Sequence, residues 1–210
     1  MTARPKKAAA GGNDEICTIR IELVDSDPPI WRDVEVPTSL ALDDLHIVVQ
    51  IAMAWENCHL WEFTIAKTRY GEPSDEDWRD EPAIDAARVR LRDVTGPRRT
   101  TIAYHYDFGD NWQHKLIVTK KRPPEPGQVY PRYVAGERNA PPEDCGGIFG
   151  YYEKLKTLDD PDDPDHADIK QWLGAHDRDT VDAQAIGDGL HRFALARQPR
   201  RKRAAKPSGE

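Results

Sequence analysis

The chain predicts an α+β fold: a mostly antiparallel sheet with a long helix packed on it and a helical C-terminal part. Three observations carry this. Apolar and polar residues alternate in several short runs, the period of half-buried strands. One stretch, Leu42 to Met53, repeats its apolar residues at helical spacing. Helical patterning returns only beyond Gly146-Gly147, past a segment rich in proline and glycine.

Ile16 to Val24 alternates, with Ile19, Ile21 and Leu23 set against Arg20 and Glu22. Pro28-Pro29 breaks this strand. Ile30-Trp31-Arg32 leads into Val34 and Val36, a second strand stopped by Pro37. The Asp25 to Pro29 turn makes the two an antiparallel pair. Thr38 or Ser39 is placed to cap the helix, which is expected to run to about Trp55. Asp43 and Asp44 suit its first turn, where the dipole favours negative charge. Its stripe of Leu42, Leu45, His46, Val49, Ala52 and Met53 faces the sheet. His46 is therefore either a core histidine with a hydrogen-bond partner or a site residue reached from a cleft. His59 to Ala66 reads as a third strand, with Trp61, Phe63 and Ile65 on one face and Glu62 and Thr64 on the other. Tyr70 to Ala87 reads as a polar surface insertion tethered by Trp78 and Ile84, and Arg88 to Leu91 as a short strand or an edge.

The run Tyr104 to His114 has the pattern of a β-hairpin: two alternating segments around a polar turn. With Asp107 to Asn111 as the loop, Tyr106 faces Trp112, Tyr104 faces His114 and Ile102 faces Leu116. Directly opposite residues share a face, so Tyr104, Tyr106, Trp112 and His114 form one aromatic-imidazole surface. His105 and Gln113 point the other way. A four-residue loop would shift the register by one and break the cluster. Gly109 fits a position of positive φ, and Asp107 can bond its own backbone. The second strand is expected to reach about Thr119. Lys120 to Gly127 then reads as a basic, proline-rich connector. The loop Pro141-Pro142-Glu143-Asp144-Cys145-Gly146-Gly147 is stiffened by its prolines and turned by its glycines. Helices are expected over about Phe149 to Leu158, around Ile169 to Leu173 with a stop at Gly174, and over about Val181 to Ala196.

Residues 1–13 read as a flexible arm, 14–196 as a single domain and 197–210 as a basic solvated tail. The net charge of -7 disfavours a nucleic-acid binder that uses its whole surface. The run Arg200-Arg201-Lys202-Arg203 leaves room for a weak, salt-sensitive nucleic-acid contact. No apolar run is long enough for a membrane span. Cys17, Cys58 and Cys145 form neither a disulfide framework nor a paired zinc motif, and a cytoplasmic, reducing location is the simple expectation.

The polar groups expected near the hairpin tip are Asp107, Asp110, His114, Glu143 and Asp144, with His46, His59 and Cys145 in reach. Arg32, beside Trp31, is placed to pin a carboxylate of the chain or of a ligand. Histidine with carboxylate suits zinc, manganese or iron, and His114, Asp110 and Glu143 are the candidate ligands. No pair stands at a helical metal spacing such as HExxH, so the sequence requires no cofactor. There is no GxSxG elbow and no lysine-bearing phosphate loop, and no catalytic residue is marked out. The leading reading is a non-catalytic binding or accessory module for an unknown protein or small-molecule ligand. Its recognition surface would join the Tyr104–His114 hairpin to the Pro141–Gly147 loop. The alternatives are a metal-assisted hydrolase using His114, His46 and the carboxylates, and a DNA-associated protein acting through its tail.

Pro28-Pro29-Ile30-Trp31-Arg32, Leu45-His46 with Gln50, Ala52-Met53-Ala54-Trp55, His59-Leu60 with Phe63, Tyr70-Gly71, Tyr104 with Tyr106-Asp107-Phe108-Gly109-Asp110, Trp112 with His114, Tyr130-Pro131, Gly136, the Pro141–Gly147 loop, Gly150-Tyr151 and Trp172-Leu173-Gly174 follow one another in order. In this the chain resembles the Ri-plasmid ORF-three-like domain family, also labelled the insertion-element passenger TnpR family. The resemblance implies an α+β fold and a bacterial or archaeal source, often on plasmids or mobile elements. It implies no established activity. The chain departs from the family pattern at Ala54, Trp61 and Ala140, where the family often has Gly, His and Cys. The TnpR label suggests a resolvase, yet Ser26 sits in an acidic turn and no helix offers a basic recognition face, so these residues give recombinase activity no support.

Overall fold

The computed structural model describes residues 14–73 and 82–197. The N-terminal arm, Trp78 and the Arg200–Arg203 run lie outside the described residues. Within the described residues eight strands form one open sheet: β1 Ile16–Leu23, β2 Trp31–Pro37, β3 Trp61–Ile65, β4 Thr68–Gly71, β5 Ile84–Asp85, β6 Thr100–Tyr106, β7 Trp112–Arg122 and β8 Arg132–Glu137. Their spatial order is β5-β4-β3-β6-β7-β1-β2-β8, antiparallel throughout except for the β4–β5 pair. Among the described residues five α-helices accompany them: α1 Leu42–Met53, α2 Leu91–Val94, α3 Gly147–Asp159, α4 His166–Leu173 and α5 Ala183–Arg197. The mostly antiparallel sheet, the long helix and the helical C-terminal part are those expected from the patterning.

Period-two alternation sets the core. Ile21 pairs with both Arg32 and Leu116, and Leu116 pairs with Ile102, so these four side chains make one row across the sheet. The next row runs Leu23, His114, Tyr104 and Phe63; the next holds Trp112, Tyr106 and Trp61. All three rows are buried, with α1 among the elements that cover them. The opposite face carries charge, with Arg20 bonded to Asp33 and Lys115 near Glu22. Helix α5 buries Ile186, Leu190 and Ala194, and a Cβ on Gly189 would stand 2.8 Å from Ile51 of α1. Arg197, assigned to the tail on sequence, ends α5 and pairs with Asp44.

Several local expectations are corrected. Neither Thr38 nor Ser39 caps α1; its N-cap is Ala41, without a side-chain bond. Both hydroxyls turn instead to Asp14, whose carboxylate also accepts the Ser39 N–H. Tyr70–Gly71 and Ile84–Asp85 belong to the sheet rather than to a loop. Arg88–Leu91 is not a strand: a 3-10 turn covers Ala86–Arg88, Arg90 makes an isolated bridge to Ala41, and Leu91 opens α2. Strand β7 continues to Arg122, because Lys121 and Arg122 pair with Cys17 and Ile16. Strand β8 was not foreseen. None of its residues is fully buried, so it shows no apolar alternation to read.

Arg32 does not pin a carboxylate. It is 1% exposed, and its Nε donates to Ala52 O at 3.1 Å. One terminal nitrogen donates to Trp31 O at 2.8 Å and Glu137 O at 3.1 Å. Ala52 lies in the last turn of α1, where the carbonyl ends carry partial negative charge. Burial lowers the guanidinium pKa to about 10, so it remains a cation at neutral pH. Gly136 sits opposite Arg32 on β8, where a Cβ would stand 2.7 Å from Arg32 Cδ.

Candidate functional site

The hairpin register is the predicted one: Tyr106 opposite Trp112, Tyr104 opposite His114, Ile102 opposite Leu116. The turn is built differently. Positive φ falls on its two ends, Asp107 (52°) and Asn111 (58°), and not on Gly109. Aspartate and asparagine tolerate that region better than most residues. Asp107 does bond its own backbone, its Oδ1 accepting the Gly109 N–H at 2.9 Å. This leaves Oδ2 free to face outward from the turn.

Helix α1 ends at Ala54, in the left-handed region at φ 58°. The family glycine implied at this position has a physical reason, since glycine reaches that conformation without steric cost. The chain then crosses the hairpin tip. Trp55 stacks on Tyr106 at 5.2 Å and donates from its indole N–H to Pro141 O at 2.9 Å. It is the spacer between hairpin and acidic loop. Cys58 N–H donates to the Tyr106 hydroxyl at 3.0 Å, and that hydroxyl donates to Glu143 Oε1 at 2.5 Å. Glu143 Oε2 accepts the Glu56 N–H at 2.5 Å. Asp110 Oδ2 accepts the Gly146 N–H at 3.0 Å. Hairpin tip and loop are thus fastened together at two points.

His59 lies between them. Its Nε2 is 3.7 Å from Asp107 Oδ2 and 3.2 Å from Asp144 Oδ1. The nitrogen is closed to solvent and makes no hydrogen bond. One donor atom each from His59, Asp107 and Asp144 fall within 4.8 Å of one another, as do those of Cys58, His59 and Glu143. Beside them opens a cleft of about 320 Å³ lined by Ala54, Trp55, Glu56, Cys58, Pro142, Glu143 and Asp144. None of these lining residues is basic. Leu60 and Phe108 stand exposed nearby; the Leu60 carbonyl accepts the Asp107 N–H.

His46 belongs to a second, interior arrangement. Asn57 N–H donates to Gln50 Oε1, Gln50 Nε2 donates to the Tyr104 hydroxyl, and that hydroxyl lies 2.7 Å from His46 Nδ1. His46 Nε2 meets Asn57 Oδ1, which can only accept. The proton therefore sits on Nε2, Tyr104 donates to Nδ1, and the circuit closes with every partner satisfied. Trp61 stacks flat on the imidazole at 4.2 Å, in the position where the resemblance implies a histidine. Burial holds Tyr104 well above the ordinary phenol value and lowers His46 to about 4.

Of the predicted site residues, His59, Tyr106, Asp107, Asp110, Glu143 and Asp144 come together. Tyr104, Trp112 and His114 keep their shared face, but Trp55 and α1 cover it, so it is core and not an open surface. His114 and Asp110 belong to neither donor group, and the expected trio His114, Asp110 and Glu143 is not assembled. Arg32 serves the core. Cys58, Glu56, Trp55 and Asn57 were missed as site residues. The Cys58-His59 pair directly after the helix was the one visible signal for them.

The buried histidines give a pH prediction. Burial lowers His46 to about 4 and His114 to about 3 from 6.5. Between those values and 6.5 the unfolded chain binds more protons than the folded one. Their stabilising contribution is complete above pH 6.5 and is lost as pH falls toward 4 and below. Melting temperature is expected to decline below about pH 6.5, less steeply in His114→Leu than in the wild type. Identical slopes for the two proteins would contradict the assignment of His114.

An open, mostly antiparallel α+β sheet with its polar cluster at one hairpin tip defines the structural class. The family model described as plasmid pRiA4b ORF-3-like protein matches residues 15–185, and the chain belongs to that family. It is 36% identical over 196 residues to the uncharacterized protein y4hQ of Sinorhizobium fredii (strain NBRC 101917 / NGR234), covering 89% of this chain and 97% of that protein. It is also similar to the crystal structure of MM3350, a protein of unknown function from Methanosarcina mazei Go1. That likeness has a TM-score of 0.76 at 33% identity, covering 82% of this chain and 98% of that one. Among the described residues no helix is long and apolar enough to cross a membrane.

Proposed function

We propose that the chain is a binding module whose site is the cleft between the hairpin tip and the acidic loop, and that it takes a positively charged ligand. One observation carries this reading. Three segments far apart in sequence, around Glu56–His59, Tyr106–Asp110 and Pro141–Gly147, meet at one place with an excess of carboxylates. Glu56, Glu143 and Asp144 line the cleft and Asp107 flanks it, with no lysine or arginine in the lining. Carboxylates gathered in a concave, partly desolvated site favour a cation there and disfavour an anion.

Melting curves with spermidine, arginine amide or zinc chloride test this on wild type, Glu143→Gln and Asp144→Asn. A cation in hundredfold excess over its Kd adds about 2.7 kcal/mol. For a domain of this size that raises Tm by about 5 °C or more. At least one of the three is expected to do so in the wild type and to lose most of the effect in Asp144→Asn. If none raises Tm, the module is not a cation binder.

A further inference from the structure

We propose that His59, Asp107 and Asp144 are the protein ligands of a single divalent metal ion of the zinc class. This rests on the reading of the cleft as a cation site and names the cation.

Both distances from the imidazole fit an ion held in common, and the two carboxylate oxygens lie within 4.8 Å of each other. A zinc ion bound tetrahedrally to nitrogen and oxygen at about 2.1 Å sets neighbouring donors about 3.4 Å apart. His59 Nε2 lies 3.2 Å from Asp144 Oδ1 and 3.7 Å from Asp107 Oδ2. An ion pair also brings nitrogen within 4 Å of oxygen, and the hydrogen bond that would normally accompany so close a pair is missing at this nitrogen. Here Nε2 is shut from solvent and hydrogen-bonds to neither carboxylate. A solvent-closed ring nitrogen without a hydrogen bond, set beside two carboxylate oxygens, is a donor that a shared ion would engage.

The supporting shell agrees. The Gly109 N–H fixes Asp107 through Oδ1, so Oδ2 is the oxygen that faces the imidazole. Tyr106 and the Glu56 N–H hold both oxygens of Glu143. Glu143 Oε1 lies 3.9 Å from Cys58 Sγ, close to the spacing of a sulfur and an oxygen that share zinc, about 3.6 Å. Cys58 and Glu143 are thus further donors within reach of His59. Imidazole and carboxylate with a thiol at the edge suit zinc or cobalt; magnesium and calcium prefer shells of oxygen alone. Three protein ligands leave a four-coordinate ion one position for a donor atom of the ligand.

The test uses the full chain without a histidine tag, treated with chelator and titrated calorimetrically with zinc, cobalt, magnesium and spermidine in turn. One equivalent of zinc is expected, with affinity falling at least a hundredfold in His59→Gln and Asp107→Asn. Asp144, with its side chain 73% exposed, can be changed without disturbing the fold, and Asp144→Asn is expected to lose at least tenfold. The cobalt form should show the visible absorption of a tetrahedral centre. No uptake of zinc or cobalt, or uptake equal in all three variants, overturns the metal site. Spermidine bound without metal uptake overturns the ion and leaves the cationic cleft standing; neither bound overturns both.

Discussion

Replacing Arg32 by leucine is expected to lower the unfolding free energy by about 4 kcal/mol, read as a reduced denaturant midpoint at unchanged slope. The guanidinium is the hydrogen-bond partner of Ala52 O, Trp31 O and Glu137 O inside the core. Each carbonyl left without a donor costs roughly 1–3 kcal/mol. The leucine returns on the order of 2 kcal/mol of apolar burial, which offsets only part of that. Lysine will not rescue the site, because one ammonium cannot reproduce the planar fork that spans helix end and strand. A loss below about 1 kcal/mol for the leucine variant would mean the three carbonyls find other donors.

Gly147→Ala is expected to separate the acidic loop from the hairpin. Gly147 has φ +68°, and a Cβ there would stand 2.2 Å from Asp110 O. The left-handed conformation alone costs alanine about 1–2 kcal/mol. The clash is with backbone, which cannot rotate aside as a side chain would. The loop is therefore expected to lift, releasing Gly146 N–H from Asp110 and Glu143 from Tyr106. Amide exchange at Gly146 and Glu56, whose N–H groups bond Asp110 and Glu143, should accelerate at least tenfold while the sheet amides keep their protection. Stabilisation by a bound cation should disappear with it. Unchanged exchange at Gly146, with the cation effect intact, would show that the loop does not depend on this close approach.

The sheet was legible where burial alternates and the turn has a fixed length. The five residues Asp107 to Asn111 set the register of β6 against β7, and that register placed Tyr104 beside His114. Strand β8 was not legible, because an edge strand with both faces half-exposed leaves no period to read. The partners of Arg32 were hidden for another reason: they are backbone carbonyls, which side-chain patterns do not report. At the site, the sequence named the carboxylates and the histidines but misjudged which histidine meets them. His114 was favoured for its place on the hairpin, yet that place puts it in a buried row beneath Trp55. His59 reaches the carboxylates because Ala54 turns the chain back over the hairpin tip, and a left-handed alanine has no sequence mark of its own.

Convergence of His59, Asp107 and Asp144 on one bound cation is what the proposed site requires. It is tested most directly by diffraction at the zinc absorption edge from crystals of the full chain grown with zinc. A single anomalous peak within bonding distance of His59 Nε2 and of one oxygen each of Asp107 and Asp144 is predicted. A map with no peak there, or with zinc only at unrelated positions, would contradict that convergence.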